Sequence, residues 1–206
     1  MTRGGQFGYN PMIKVTRPNA LAMNVICTAL PEVLVIEPTL FGDQRGFFLE
    51  TYQLSRYAEH GISRPFVQDN MSRSSYGVLR GLHLQNPFTQ WKLVSVLRGR
   101  VLDVAVDVRV GSPTFGRHVA VELSEENHRQ LWVRRGFAHG FFVLSESVDF
   151  FYKCDELYSP KDEIVLRWND PAIGINWGVT NPAVSARDAA APLLADVEKL
   201  PIYGQI

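Results

Sequence analysis

From residue 32 onward the chain is a succession of short apolar runs that turn residues keep interrupting. VLVIEP, GFFLETYQL, KLVSVLRG, RVLDVAVDVRV, RHVAVEL, HGFFVLS and VDFFYKC are rich in β-branched and aromatic residues and are cut short by Gly, Pro or Ser. Runs of this length suit strands rather than helices, so the pattern predicts an all-β fold: a sandwich, a jelly roll or a small barrel. Two stretches are expected to be helical. LSRYAEHG reads as one turn with Ser55 as its N-cap, and ARDAAAPLLADVEKL has helical composition interrupted by Pro192.

No internal repeat or long linker divides the chain, and 206 residues suit one domain with a sizeable core. The first 22 residues, rich in Gly, Pro, Asn and Arg, read as a loose N-terminal extension, leaving 23–206 as the folded domain. Met23 opens that domain and is a candidate start of translation. The extension has no apolar block and so is no secretory signal. Nor does any stretch reach the roughly 18 apolar residues of a membrane span. Lys plus Arg equals Asp plus Glu at 21 each, so no global field draws the protein to nucleic acid or an anionic membrane. Cys27 and Cys154 match no zinc spacing and read as two free thiols of a cytoplasmic protein.

Chemistry-bearing residues interrupt the apolar pattern. VLRGLHLQNPFTQWKLVSV, residues 78 to 96, carries Arg80, His83, Gln85 and Lys92 in or beside its hydrophobic runs. In VLDVAVDVRV, Val101, Asp103, Ala105, Asp107 and Arg109 share one face, and Leu102, Val104, Val106 and Val108 share the other. The charged face is solvated in an open sheet, and it lines a cavity in a barrel wide enough for a ligand. The spacing from Gly77 to His83, and His139 in GFAHGF, resemble the two metal motifs of the cupins. Gln85 stands where the second imidazole of a His-x-His pair belongs, however, and no Glu follows before Glu122. Two imidazoles fall short of the three or four ligands a stable site needs, so no metal is expected. There is no G-x-S-x-G elbow and no phosphate or dinucleotide loop. The set that remains, His, Lys, Tyr, Asp and Arg on strands, suits proton transfer beside a carbonyl.

Eight motifs then follow in order: DQRGFFLE, QDNMSRSSYGVLRGLHLQ, KLVSVLRGRVLDVAVDVR, GSPTFGRHVAVELS, RRGFAHGF, YKCDELYSPKDE, RWNDPAIGINW and SARDAAAPLL. From about Met23 to Leu194 the chain resembles the dTDP-4-dehydrorhamnose 3,5-epimerases, metal-free cupins of nucleotide-sugar metabolism. The resemblance implies a cupin-type jelly-roll barrel with short helices at the periphery and C-terminus, and a homodimer with strands shared across its interface. It implies no cofactor. The implied substrate is dTDP-4-dehydro-6-deoxy-α-D-glucose, whose C4 ketone acidifies the hydrogens on C3 and C5.

By the same resemblance His83 is the base, oriented by Asp188, and Lys92 stabilises the C4 enolate. Tyr152 is the preferred general acid, with Tyr158 packing on the nucleotide base, although either tyrosine fits either role. Asp103 and His139 are supporting pocket residues. Arg45 and Arg80 match the diphosphate-binding arginines, while Phe48, Glu50, Gln68 and Asn70 match the thymidine region. On the residues alone, Arg45 and Glu50 read as a solvated pair on an edge strand. Trp91 stands where many relatives carry a small residue, which predicts a local shift of the strand bearing Lys92. Epimerases that invert only C3 or only C5, sugar-nucleotide 3,4-ketoisomerases and non-catalytic nucleotide-sugar binders are the competing readings. Joint retention of His83, Lys92, Tyr152 and Asp188 speaks against the last of these.

Overall fold

The computed structural model describes residues 23–206; the expected N-terminal extension, 1–22, lies outside the described residues. The strands run β1 (Asn24–Cys27), β2 (Val33–Glu37), β3 (Leu40–Asp43), β4 (Gly46–Leu49), β5 (Gln68–Ser75), β6 (Leu79–Gln85), β7 (Lys92–Arg98), β8 (Arg100–Asp107), β9 (His118–Ser124), β10 (Gln130–Val133), β11 (Phe137–Val143), β12 (Ser147–Cys154) and β13 (Glu163–Val165). Six of them form one antiparallel sheet in the order β1-β2-β10-β7-β12-β5, and five form a second, β13-β6-β11-β8-β9. β3 and β4 make a separate two-stranded hairpin.

Period-two alternation decides what lies between the sheets and what lies outside them. Val33, Val35, Val94, Val96, Leu131 and Phe150 of the first sheet pack against Val101, Ala105, Leu123, Phe137 and Phe141 of the second. The opposite face of the second sheet, with Val104, Val106 and Phe142, is covered by Leu166, Ile173, Trp177 and Leu200 of the C-terminal segment. The opposite face of the first, with Leu34, Ile36, Leu93 and Trp132, is covered by Tyr57 and Ile62 around helix α1 (Leu54–Ala58). Both faces of β8 are therefore buried, and Asp103 and Asp107 are fully enclosed rather than solvated. This face is neither solvated nor a cavity wall: Asp103 bonds His139 and Asp107 bonds Arg109 inside the structure.

Two expectations about helices need correction. The N-cap of α1 is Gln53, whose side chain accepts from the Arg56 amide at 2.8 Å; Ser55 instead donates its hydroxyl to Gln53. The C-terminal stretch is not one helix but the short turn α2 (Ala186–Ala189), capped by Ser185, followed by a 3-10 turn at Leu194–Asp196. Pro192 lies between them and has no N–H to continue the first.

One contact fixes the register that matters for the site. A Cβ on Gly140 would lie 2.7 Å from the Arg80 carbonyl oxygen, and one on Gly81 would lie 2.6 Å from the Gly140 Cα. Only paired glycines allow β6 and β11 to come this close. The register shifts between His139 and Phe141, and His83 and His139 become direct cross-strand partners.

Candidate active site

A cavity of about 600 Å³ between the sheets is lined by residues of both. His83 enters from β6, His139 from β11, Lys92 from β7 and Tyr152 from β12. The C-terminal segment closes one side. It is anchored to the start of β6 by Leu79 N–H to the Ala183 carbonyl at 2.9 Å and Ala183 N–H to the Gly77 carbonyl at 2.8 Å. That anchoring delivers α2, and with it Asp188, to the imidazole.

Asp188 Oδ1 lies 2.8 Å from His83 Nε2. Burial alone would raise the Asp188 carboxyl, but the His83 ring, the Ser185 cap and the Gly81 amide outweigh it and hold the group below the ordinary carboxylate range. With Nε2 engaged, Nδ1 is the ring nitrogen left for chemistry. The only carboxylate near it among the described residues is Glu163, with Oε1 at 3.9 Å.

Lys92 is half-buried and makes no ion pair among the described residues; its Nζ sits 5.8 Å from the centroid of the Tyr152 ring. Burial lowers its pKa, opposed by Cys154, Glu163 and Asp103. Tyr152 is pushed up to about 12, first by burial and then by Cys154, Glu163 and Tyr158, with Arg80 pulling the other way. It therefore keeps its proton at neutral pH. His139 forms a second carboxylate–imidazole pair, its Nε2 2.8 Å from Asp103 Oδ1. The other oxygen of Asp103 is buried and has no hydrogen-bond partner among the described residues.

At the mouth, Arg80 also lines the cavity, and its Nε donates to Ser74 at 3.0 Å. Tyr158 donates its hydroxyl to Glu163 Oε2 at 3.0 Å, and Arg187 contacts the same oxygen. Gln68 and Asn70 on β5 do not line the cavity. They bond each other at 2.9 Å, and Gln68 accepts from the Tyr158 amide at 2.9 Å, which ties them to its rim. Gln85 faces the same loop from below. It donates to the Phe88 and Leu157 carbonyls and accepts from the Ser159 amide, so it braces the segment bearing Tyr158.

Arg45, Phe48 and Glu50 stand apart from this cavity within one chain. Arg45, with its side chain 90% exposed, pairs with Asp43 at 2.5 Å, and Glu50 pairs with Arg56 at 2.6 Å. They are thus not a pair with each other. Phe48 projects from the β3–β4 hairpin with 64% of its surface exposed. Trp91 does not touch the cavity either. It packs edge-on against Trp132 on the opposite face of the sheet, at 5.3 Å, and Lys92 keeps regular pairing with Val133 and Cys154. The expected shift of this strand is absent.

Glu163 and Arg187 line the cavity and went unassigned on sequence. Each sits inside a motif, YSPKDE and SARD, but nothing in the spacing pairs a Glu with an Arg 24 positions later.

A sequence model of the dTDP-4-dehydrorhamnose 3,5-epimerase family matches residues 27–196. The dTDP-4-dehydrorhamnose 3,5-epimerase of Salmonella typhimurium is 55% identical over 175 residues, covering 84% of this chain and 96% of the relative. That of Neisseria gonorrhoeae is 52% identical over 178 residues, covering 86% of this chain; the chain spans about half of that relative, 54%. Among solved structures, the Legionella pneumophila epimerase RmlC in complex with dTDP-4-keto-L-rhamnose superposes with a TM-score of 0.86 at 53% identity, covering 88% of this chain and 99% of that one. ChmJ, a 3'-monoepimerase from Streptomyces bikiniensis in complex with dTDP-quinovose, gives 0.80 at 33% identity, covering 86% and 92%. The match runs from β1 to the C-terminal turns and takes in the whole cavity wall with its His83–Asp188 pair, so the chain belongs to the dTDP-4-dehydrorhamnose 3,5-epimerase family.

Proposed function

We propose that this protein converts dTDP-4-dehydro-6-deoxy-α-D-glucose to dTDP-4-dehydro-β-L-rhamnose by inverting C3 and C5. The observation that carries the reading is Lys92: a half-buried ammonium that forms no ion pair among the described residues, in the same cavity as a carboxylate-oriented imidazole and a protonated tyrosine. A buried cation is costly unless an anion arrives to meet it. An enolate formed at C4 is such an anion, and a preorganised cation beside it contributes on the order of 3 kcal/mol to the barrier.

In this mechanism His83 Nδ1 removes the proton beside the ketone, and Asp188 holds the tautomer and stabilises the imidazolium. The electron pair moves onto the C4 oxygen facing Lys92. Tyr152 returns a proton to the carbon from the other face. Its buried hydroxyl, free of the Glu163 bond that occupies Tyr158, supports it as the acid. Arg80 suits the diphosphate, since its guanidinium has no carboxylate partner among the described residues. His139, held by Asp103, shapes the wall behind the sugar.

Arg45, Phe48 and Glu50 fit this scheme in a homodimer. The exposed hairpin of a second copy would bring them to the nucleotide end, with Gln68, Asn70 and Tyr158 on the receiving side. Residues 23–206 act as one domain, and the free thiols Cys27 and Cys154 support a cytoplasmic setting. No helix of the described residues is long and apolar enough to cross a membrane.

The greater identity to the 3,5-epimerases than to the monoepimerase favours inversion of two centres over one. Incubation with the substrate in heavy water, read by NMR, tests this. Deuterium at both C3 and C5 is the expected result. Deuterium at one carbon would establish a single-site epimerase, and binding without exchange would establish a non-catalytic binder.

A further inference from the structure

Resting on the two-centre reading, a difficulty arises between the two inversions. One base and one acid serve both carbons. After the first inversion His83 holds a proton it must lose, and Tyr152 lacks one it must regain, while the sugar still fills the cavity. A single-site enzyme can wait for product release to reset these groups. An enzyme that inverts twice in one binding event needs an outlet on the base side.

Asp188 does not supply it. Its side chain is 5% exposed and is held by His83, the Ser185 cap and the Gly81 amide. The His139–Asp103 pair does not supply it either, because Asp103 is fully enclosed. Glu163 is placed differently. Its Oε1 lies 3.9 Å from His83 Nδ1, the nearest carboxylate to that nitrogen among the described residues, and its side chain is 11% exposed. Its Oε2 is bonded to the Tyr158 hydroxyl at 3.0 Å, and Tyr158 is 49% exposed. The sequence His83, Glu163, Tyr158 thus leads from the reacting nitrogen to the rim of the cavity. Arg187 binds Glu163 from the outer side and leaves Oε1 turned toward His83.

We propose that Glu163 and Tyr158 form the proton outlet that resets His83 between the two inversions. The Nδ1–H bond of the imidazolium breaks and an O–H bond forms on Glu163, restoring neutral imidazole. Glu163 turns this O–H toward the Tyr158 oxygen and passes the proton there, while the Tyr158 hydroxyl gives up its bond to Oε2 and releases its own proton to water. The Tyr152 phenolate takes a proton from water, so protons balance and no redox partner is involved. Glu163 acts through His83 and so is a positioning and relay residue; the substrate carbon is handled by His83 alone.

The test uses the full chain and the dTDP-4-dehydro-6-deoxyglucose substrate in heavy water, with released products resolved by NMR. Glu163→Gln keeps the size and the Tyr158 contact but loses the carboxylate. It is expected to release singly inverted product, raising the ratio of singly to doubly inverted sugar at least tenfold, with KM little changed and kcat for double inversion reduced. Tyr158→Phe moves the ratio the same way, and Glu163→Asp recovers part of the wild-type ratio. An unchanged ratio in both Glu163→Gln and Tyr158→Phe, with wild-type label at both carbons, overturns the outlet alone. So does equal slowing of both inversions. Wild-type label at one carbon or neither overturns the two-centre reading and the outlet with it.

Discussion

At the scale of residues, the site is an arrangement of charges that burial makes expensive and substrate makes useful. Lys92 illustrates the trade. Its pKa is lowered by burial, so the native state holds a proton on it less readily than the unfolded chain does. At neutral pH the charged ammonium therefore costs stability, and a Lys92→Met variant is expected to melt higher while losing activity about 10²–10³-fold. Each kcal/mol gained corresponds to about 2–4 °C in a chain of this size. The sign with pH follows from linkage. The advantage of the variant is complete below the folded pKa of Lys92 and shrinks as pH rises through it toward the ordinary lysine value. Calorimetry across pH, paired with turnover at neutral pH, checks both halves; a variant that melts lower at neutral pH would remove the claim that the ammonium is strained. Residue identities at this scale were readable in the sequence only in part. His83 and Lys92 stood out as polar groups in apolar strands, but Asp188 is 105 positions from His83, and no local pattern joins them. The concern about Trp91 could have been settled by alternation, since neighbouring residues of an extended chain face opposite ways and Trp91 precedes Lys92 directly.

At the scale of elements, strands were legible and their contacts were not. Short β-branched runs between turn residues mark β2, β7, β8, β9, β11 and β12, because local backbone preference and half-burial act within a few residues, but they miss β1, β5, β10 and β13. What the runs lack is any sign of which strand passes closest to which. The approach of β6 to β11 depends on Gly81 meeting Gly140, and that meeting sets His83 opposite His139. Gly140→Ala is therefore expected to act as an overpacking change at the strand crossing. A loss of about 1–3 kcal/mol in chemical denaturation and a fall in kcat are predicted, because the strand bearing the base must move away from its neighbour. Wild-type stability and rate in that variant would mean the two strands yield without consequence. The helical reading of the C-terminus failed for a related reason. Its alanines favour a helix, but Pro192 and the packing of Leu194 and Leu200 onto the second sheet divide it into two short turns.

At the scale of the whole molecule, the hairpin of β3 and β4 stands apart from both large sheets. Phe41, Phe47 and Phe48 are all exposed on it, an apolar display that a lone soluble chain has no use for. Phe48→Ala is expected to raise KM for the nucleotide sugar several-fold with kcat little altered, while sedimentation analysis of the wild type finds a dimer. A monomeric wild type with full activity would detach the hairpin from the site. No pattern within one chain assigns these residues to a cavity they do not touch, so only the family resemblance implies a binding role for them. The placement of Asp188 has a consequence of another kind. The imidazole sits on β6, and the carboxylate bonded to it arrives 105 positions later on a segment held to that strand. A ribosome makes these pieces in that order, so a partly synthesised chain carries its base without the group that aims it. On the proposed mechanism, a chain stopped before residue 188 has no aimed base and is silent toward the sugar.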